Sequence, residues 1–186
     1  MILRGHVVKP LPTSNAADST PQDYWLHCGV DGGEFHLGCN DRVHVSAASC
    51  VLRRVCVFGG RQGDTCSQIV VHSEAVSLEG LQLQCCELHI LGSAARLQRC
   101  TVAGDRQQRV GIRVRRPHAG APAPAHVVLS CCVVRETDVA LELLHVDGIE
   151  ILDCECVPML KLAEVTIELA LSLLMLCAQC AAALHR

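Results

Sequence analysis

The sequence predicts a mainly β solenoid of about five to six stacked coils, followed by a C-terminal α-helix. Three observations predict it. A hexad with apolar or cysteine residues at its first, fourth and sixth positions recurs five times. A short apolar-polar-apolar pair stands upstream of it at a repeated distance. Half of the 186 residues are apolar but only 2% are aromatic, so the interior is built from Val, Leu, Ile, Ala and Cys. Small and β-branched side chains suit narrow stacked sheets.

The template hexad is LEGLQL, with Leu78, Leu81 and Leu83 as its apolar residues. It returns as LRRVCV (Leu52, Val55, Val57), LQRCTV (Leu97, Cys100, Val102), LSCCVV (Leu129, Cys132, Val134) and ILDCEC (Ile151, Cys154, Cys156). The starts at 52, 78, 97, 129 and 151 are 26, 19, 32 and 22 residues apart, within the period range of solenoids. The upstream pairs are Val43/Val45, Ile69/Val71 and Leu88/Ile90, each beginning nine residues before its hexad. Ile112/Val114 stands seventeen residues before Leu129, with the Pro/Ala/Gly stretch RRPHAGAPAPA in between, which reads as a loop. The fifth pair, Leu141/Leu143, is off by one residue. Alternation over three to five residues reads as a half-buried strand. Two such strands per period leave no room for a helix inside the coil.

Stacking aligns like positions into columns: Leu52, Leu78, Leu97, Leu129, Ile151; Val55, Leu81, Cys100, Cys132, Cys154; and Val57, Leu83, Val102, Val134, Cys156. No coil buries its apolar face alone. This explains many of the 14 cysteines as small hydrophobes filling a narrow column. A secreted disulfide framework needs an export signal, and Arg4, His6, Lys9, Pro10 and Pro12 interrupt MILRGHVVKPLPTS. The expected compartment is therefore reducing, the cytoplasm, with free thiols.

In this pattern the chain resembles the right-handed parallel β-helix proteins of the pectate-lyase-like superfamily, over roughly residues 26 to 157. The competing resemblance is to leucine-rich repeats, because LEGLQLQCCEL fits L-x-x-L-x-L-x-x-[N/C]-x-L. That fold wants a polar or Cys ladder at the ninth position, where the five copies carry Gly60, Cys86, Asp105, Thr137 and Met159. Only Cys86 matches, with Thr137 a partial fit. The β-helix reading is preferred. The superfamily's pectin-degrading members imply clustered Asp with His and basic residues, or carboxylate-held Ca²⁺ with an Arg base. Asp138, Asp147 and Asp153 share no repeated slot, so no catalytic residue is carried over.

Three parts follow from this: a flexible N-terminal arm over 1–25, the solenoid over 26–157, and an apolar, amphipathic helix over 158–186. The last is Leu- and Ala-rich, with Lys161, Glu164, Glu168, Ser172 and Gln179 on one stripe. It reads as a cap on the stack or a self-association element. Residues 165–184 also match the roughly 20-residue length of a membrane span, which gives a membrane-anchored alternative.

Candidate chemistry is sparse. His27, Cys28, His36 and Cys39 do not have the paired close spacing of a zinc site. Cys177 and Cys180 form C-x-x-C on an apolar stretch, where packing is the expected role, and Asp153/Glu155 read as a solvated strand end. No metal or cofactor is expected. The net charge of −3 argues against general nucleic-acid affinity, and few aromatics are available to stack bases. One charge signal remains: Arg96, Arg99, Arg106, Arg109, Arg113, Arg115 and Arg116 crowd 21 residues in which Asp105 is the sole acid. These arginines are the candidate dock for a protein or anionic ligand. The function expected is a non-catalytic binding or scaffolding solenoid. The alternatives are a carbohydrate-active lyase or hydrolase, or a degenerate relative of one, and a membrane-tethered binding module.

Overall fold

The computed structural model describes residues 2–4, 21–46, 49–62, 65–72, 75–91, 94–115, 126–144, 146, 148–156 and 160–163. They form a parallel β-solenoid of about five turns, mainly β, in which successive coils pair in register. The predicted columns stack as expected. Leu52 pairs with Leu78, Leu78 with Leu97, Leu97 with Leu129 and Leu129 with Ile151. Val57, Leu83, Val102, Val134 and Cys156 form another unbroken run. The upstream pairs supply two further columns, Val43–Ile69–Leu88–Ile112–Leu141 and Val45–Val71–Ile90–Val114–Leu143. All ten of their side chains are buried.

Each coil has three faces rather than the two strands expected. The hexad is not one strand but two, bent at its third residue. That residue has positive φ in all five copies: Arg54 (53°), Gly80 (62°), Arg99 (53°), Cys131 (51°) and Asp153 (49°). The bend turns residues one and two onto face 1 and residues four to six onto face 2. Face 1 carries 49–53, Ala75–Glu79, Ala94–Gln98, His126–Ser130 and Ile149–Leu152. Face 2 carries 55–58, Gln82–Gln84, 101–103, 133–135 and Glu155–Cys156. Face 3 carries Asp23–Leu26, Arg42–Val45, Thr65–Val71, Cys86–Ile90, the end of Thr101–Arg115, the end of Val133–Leu144, and Leu160–Ala163. A left-handed backbone costs a non-glycine residue roughly 1 kcal/mol. Stacking offsets this by giving the corner amides partners: Gly80 N donates to Gln98 O, Arg99 N to Ser130 O and Cys131 N to Leu152 O, each at 2.9 Å in the next coil.

The second corner, between faces 2 and 3, uses both polar side chains and close approach. Asp41, Ser67, Cys86, Gln108 and Thr137 succeed one another there, all buried. Asp41 accepts from Gln22 N at 2.9 Å and Gly38 N at 2.7 Å; the Ser67 hydroxyl donates to Gly38 O at 2.8 Å; Gln108 Nε2 donates to Cys86 O at 3.2 Å. Asp41, Ser67 and Gln108 thereby satisfy backbone groups that the bend frees, while the Thr137 hydroxyl is buried without a hydrogen-bond partner among the described residues. At the same corner, a Cβ on Gly59 would sit 2.3 Å from Cys85 O, and one on Gly104 would sit 2.2 Å from Glu136 O. Those approaches admit only glycine.

Three expectations change in detail. Leu141/Leu143 is not out of register: Leu141 lies opposite Ile112, and the extra residue is absorbed in the connection from face 3 to face 1. A coil precedes the first counted hexad, with Val30 opposite Leu52, Gly33 opposite Val55 and Phe35 opposite Val57. Strands also reach past the 26–157 span. Ile2–Arg4 pairs with 29–31, Asp23–Leu26 with Arg42–Val45, and Leu160–Ala163 with 141–144. Leu160 and Leu162 alternate in register with Leu141 and Leu143, so this stretch, assigned from its Leu/Ala content to the helix, continues face 3 instead. The rest of the expected helix, 164–186, lies outside the described residues, as does most of the expected arm. The convex helices of the leucine-rich-repeat alternative have no place among the described residues, because face 3 is itself a run of paired strands.

The adjacent Cys131 and Cys132 separate corner strain from core packing. Cys131 is exposed at positive φ; Cys132 is buried in the interior column. Cys131→Gly is expected to leave urea-melt stability within about 1 kcal/mol of the wild type or raise it. Cys132→Gly is expected to lower it by about 2 kcal/mol or more.

Candidate functional site

The fold brings together a basic group that the linear sequence does not show as one. At the corner between faces 1 and 2, Arg53 and Arg54, Glu79 and Gly80, and Arg99 come from three successive coils and line a shallow surface depression. Gly80 has no side chain, so the rim stands open between Arg54 and Arg99. Arg53 Nε donates to Glu79 Oε2 at 2.9 Å, Arg99 bonds the other Glu79 oxygen, and Arg54 bonds Asp31 at 2.6 Å. Three guanidiniums thus meet two carboxylates. Their side chains remain 47%, 71% and 63% exposed for Arg53, Arg54 and Arg99. Exposed pairs of this kind contribute little to stability.

The seven arginines read from the sequence are distributed over the coil rather than gathered. Arg96 points outward on face 1 beside Ala75, Ala94, His126 and Val128. Arg99 is at the corner just described. Arg109 and Arg115 are exposed on the strand Thr101–Arg115, which also carries Arg106. Arg113 is largely buried on face 3 and ion-paired to Glu142, its register partner. Arg116 lies outside the described residues. Arg53 and Arg54, from a coil two turns earlier, are the partners that a search along one basic stretch misses.

Face 3 carries a second polar line. The middle residue of each inward pair points outward, giving the column Trp25, His44, Val70, His89, Arg113, Glu142. Its later half is a buried charge network. His89 Nε2 is 2.7 Å from Glu87 Oε2, and both side chains are under 10% exposed. Burial acts to raise the Glu87 pKa, but the hydrogen bond and charge of His89, then Arg113 and the Cys66 thiol, outweigh it and hold this carboxyl below its usual value.

The early half of the column is exposed and aromatic. Trp25 is 55% exposed and stacks on His44, with ring centroids 4.4 Å apart and planes 16° apart. His44 Nδ1 is 2.9 Å from His72 Nε2, and His44 Nε2 is 3.3 Å from Asp23 Oδ1. The Ser46 hydroxyl is 2.7 Å from His27 Nδ1. The sequence reading singled out none of these as a group. The signal was there: once Tyr24/Leu26 and Val43/Val45 are inward pairs, Trp25 and His44 must stack outward.

The residues weighed for zinc are divided between faces. His27 and Cys28 lie at the corner from face 3 to face 1, whereas His36 points outward from face 2 and stacks on Phe58 at 5.0 Å. Among the described residues no group of three or more His, Cys, Asp or Glu is arranged to hold a metal ion. Asp153 occupies the positive-φ corner and Glu155 the strand beyond it, so the bend parts these carboxylates. The buried thiols differ: the hydrogen bond from Cys132 holds Cys100 below its usual value, whereas Cys132 and Cys50 are pushed up and are poor nucleophiles. The hydrogen bond to Cys100, with burial, pushes Cys132 up to about 11, and burial beside Cys28 pushes Cys50 up to about 11. Cys177, Cys180 and 165–184 lie outside the described residues; no helix among the described residues is long and apolar enough to cross a membrane. Comparison with known proteins finds no family model, no curated protein and no solved structure that matches the chain.

Two neighbouring arginines test the face 3 network. Arg113→Ala removes the ion pair to the buried Glu142 carboxylate and is expected to cost about 3 kcal/mol in denaturant melts. Arg115→Ala, exposed, is expected to cost less than about 0.5 kcal/mol. Because the Glu87 pKa is depressed on folding, its contribution is present above the unfolded value near 4.3 and is lost as pH falls through the folded value. Glu87→Gln is therefore expected to flatten the acid limb of the stability curve.

Proposed function

We propose that this chain is a non-catalytic binding or scaffolding module of the right-handed parallel β-helix class, related in architecture to the pectate-lyase-like superfamily, that engages an acidic segment of a macromolecular partner. The observation that carries this reading is the arginine corner: three exposed guanidiniums, those of Arg53 and Arg54 from one coil and that of Arg99 from two coils on, around the opening at Gly80. Arginine binds carboxylate or phosphate through paired N–H groups, and Arg54 and Arg99 flank an opening two coils wide, roughly 10 Å. The basic stretch around Arg96, Arg109 and Arg115 extends positive charge onto adjoining faces. Cys28, Cys50, Cys56, Cys86, Cys100, Cys131, Cys132 and Cys154 carry free thiols, which accords with a cytoplasmic, reducing setting. A tether through 165–184 is the membrane variant of the same proposal.

A second reading, a carbohydrate-active lyase or hydrolase or a degenerate relative, is favoured by one feature. The exposed Trp25 ring stands beside Asp23, His44 and the Ser46–His27 pair, a flat apolar platform edged by acid–base groups. Release of reducing ends from polygalacturonate, abolished by Trp25→Ala, would favour it over the binding module.

The binding reading is tested with a fluorescent oligoglutamate peptide. Anisotropy titrations are expected to show binding that weakens with salt. The Arg54→Glu, Arg99→Glu double variant is expected to lose at least tenfold in affinity while melting normally. Equal affinity in that variant contradicts the assignment.

A further inference from the structure

The Asp23–His44–His72 chain has a geometry that the binding role does not use. The His44 and His72 ring centroids are 5.2 Å apart and their planes 22° apart, while the facing nitrogens are only 2.9 Å apart. The nitrogens therefore lie between the rings, and the contact is an in-plane N–H···N bond. Such a bond needs one nitrogen to be a donor and the other a bare lone pair. An ionised Asp23 accepts from His44 Nε2–H. His44 Nδ1 is then the acceptor, and His72 Nε2–H the donor. One added proton, on His72 Nδ1, leaves every bond intact. A second proton, on His44 Nδ1, removes the acceptor and sets two cations against each other.

We propose that His44 and His72 form a proton-operated clasp: closed at neutral pH, it ties the Trp25 strand and the next two coils together, and double protonation in mild acid opens it. The three elements are adjacent on face 3. Trp25 is the register partner of His44, and His72 follows directly on Val71, the partner of Val45. Trp25 lies against both imidazoles, at 4.4 Å from His44 and 6.0 Å from His72, so the clasp and the exposed indole are one unit. The surrounding groups are accounted for. On the Trp25 strand the charged neighbour is Asp23, followed by His27, which is 2.7 Å from the Ser46 hydroxyl. Arg42 faces Asp23 in register. The next strand offers Gln68 and Val70, and beyond it Glu87 and His89 bond each other. Among the described residues, the carboxylate bonded to the His44–His72 pair is that of Asp23, which sets one negative charge against the cations there. The His72 pKa is lowered by burial and then by the neighbouring charge of His44, which agrees in direction. Because folding depresses this base, the stabilisation is present above the ordinary histidine value near 6.5 and is lost as pH falls below it.

Trp25 is the chain's one tryptophan, so its emission reports the clasp without labelling. A protonated imidazole stacked on indole quenches it, and opening the clasp changes that contact. In the full chain, emission followed from pH 8 to pH 4 is expected to show a transition with its midpoint below 6.5. His44→Gln keeps a hydrogen-bonding side chain but removes the imidazole stacked on Trp25, and is expected to lose the transition; His72→Gln leaves that stack without the opposing charge, and is expected to move the transition to higher pH. His27→Gln, near Trp25 but outside the clasp, is expected to retain it. Histidine C2–H resonances provide the second readout, with two of the ten expected to titrate together in wild type and the remaining one independently once its partner is replaced. A transition that persists in His44→Gln, an unmoved transition in His72→Gln, one that disappears only in His27→Gln, or a flat wild-type profile with independent histidine titrations overturns the proposal.

Discussion

Each coil of this chain is too thin to have an interior of its own, and stacking in register is the condition on which everything else depends. A face 1 leucine such as Leu97 is fully buried because Leu78 and Leu129 lie directly on either side of it. The same condition sets the residue types. Identical positions must hold side chains of similar, modest volume, so Cys100, Cys132 and Cys154 follow Val55 and Leu81 in one line. Their sulfurs also bond backbone carbonyls: Cys100 Sγ lies 3.3 Å from Leu78 O, and Cys132 Sγ 3.6 Å from Leu97 O. A thiol here is a small hydrophobe with a weak donor, which suits a narrow column better than a methyl group alone.

The corners carry the cost of this arrangement and, for the same reason, the chemistry. Turning the chain between faces requires left-handed residues, close glycine approaches and a polar ladder. Those positions free side chains to point outward with fixed spacing from coil to coil. The arginine corner is such a position: Arg54 and Arg99 occupy left-handed slots on either side of Gly80. The histidine–tryptophan group sits where face 3 meets the connection back to face 1. A solenoid of this kind builds surface features by repetition along its axis, not by enclosing a cavity.

The inward columns were legible in the sequence because burial demands the same residue class at every copy. The three-faced coil was not, because the left-handed corner has no preferred side chain here: Arg, Gly, Arg, Cys and Asp all occupy it. The first coil escaped notice because Gly33 stands where the other hexads carry Val, Leu or Cys. The polar ladder escaped a count at the ninth hexad position because its distance along the chain varies. Ser67 follows the 61–66 excursion, and Gln108 follows an irregularity in pairing after Ala103. Only Cys86 and Thr137 fall where a fixed count looks. The arginine corner and the Arg113–Glu142 pair share one cause of invisibility. Their members are 20 to 30 residues apart and meet only when the coils are laid over one another.

Methyl–methyl NOE spectroscopy on a leucine-labelled sample examines that superposition most directly. Leu97 methyls are expected to show strong cross-peaks to both Leu78 and Leu129, while Leu78 and Leu129, two coils apart, show little or none between themselves. A spectrum in which Leu97 lacks either neighbour would mean that equivalent residues do not lie over one another, and neither the corner nor the clasp would then exist as described.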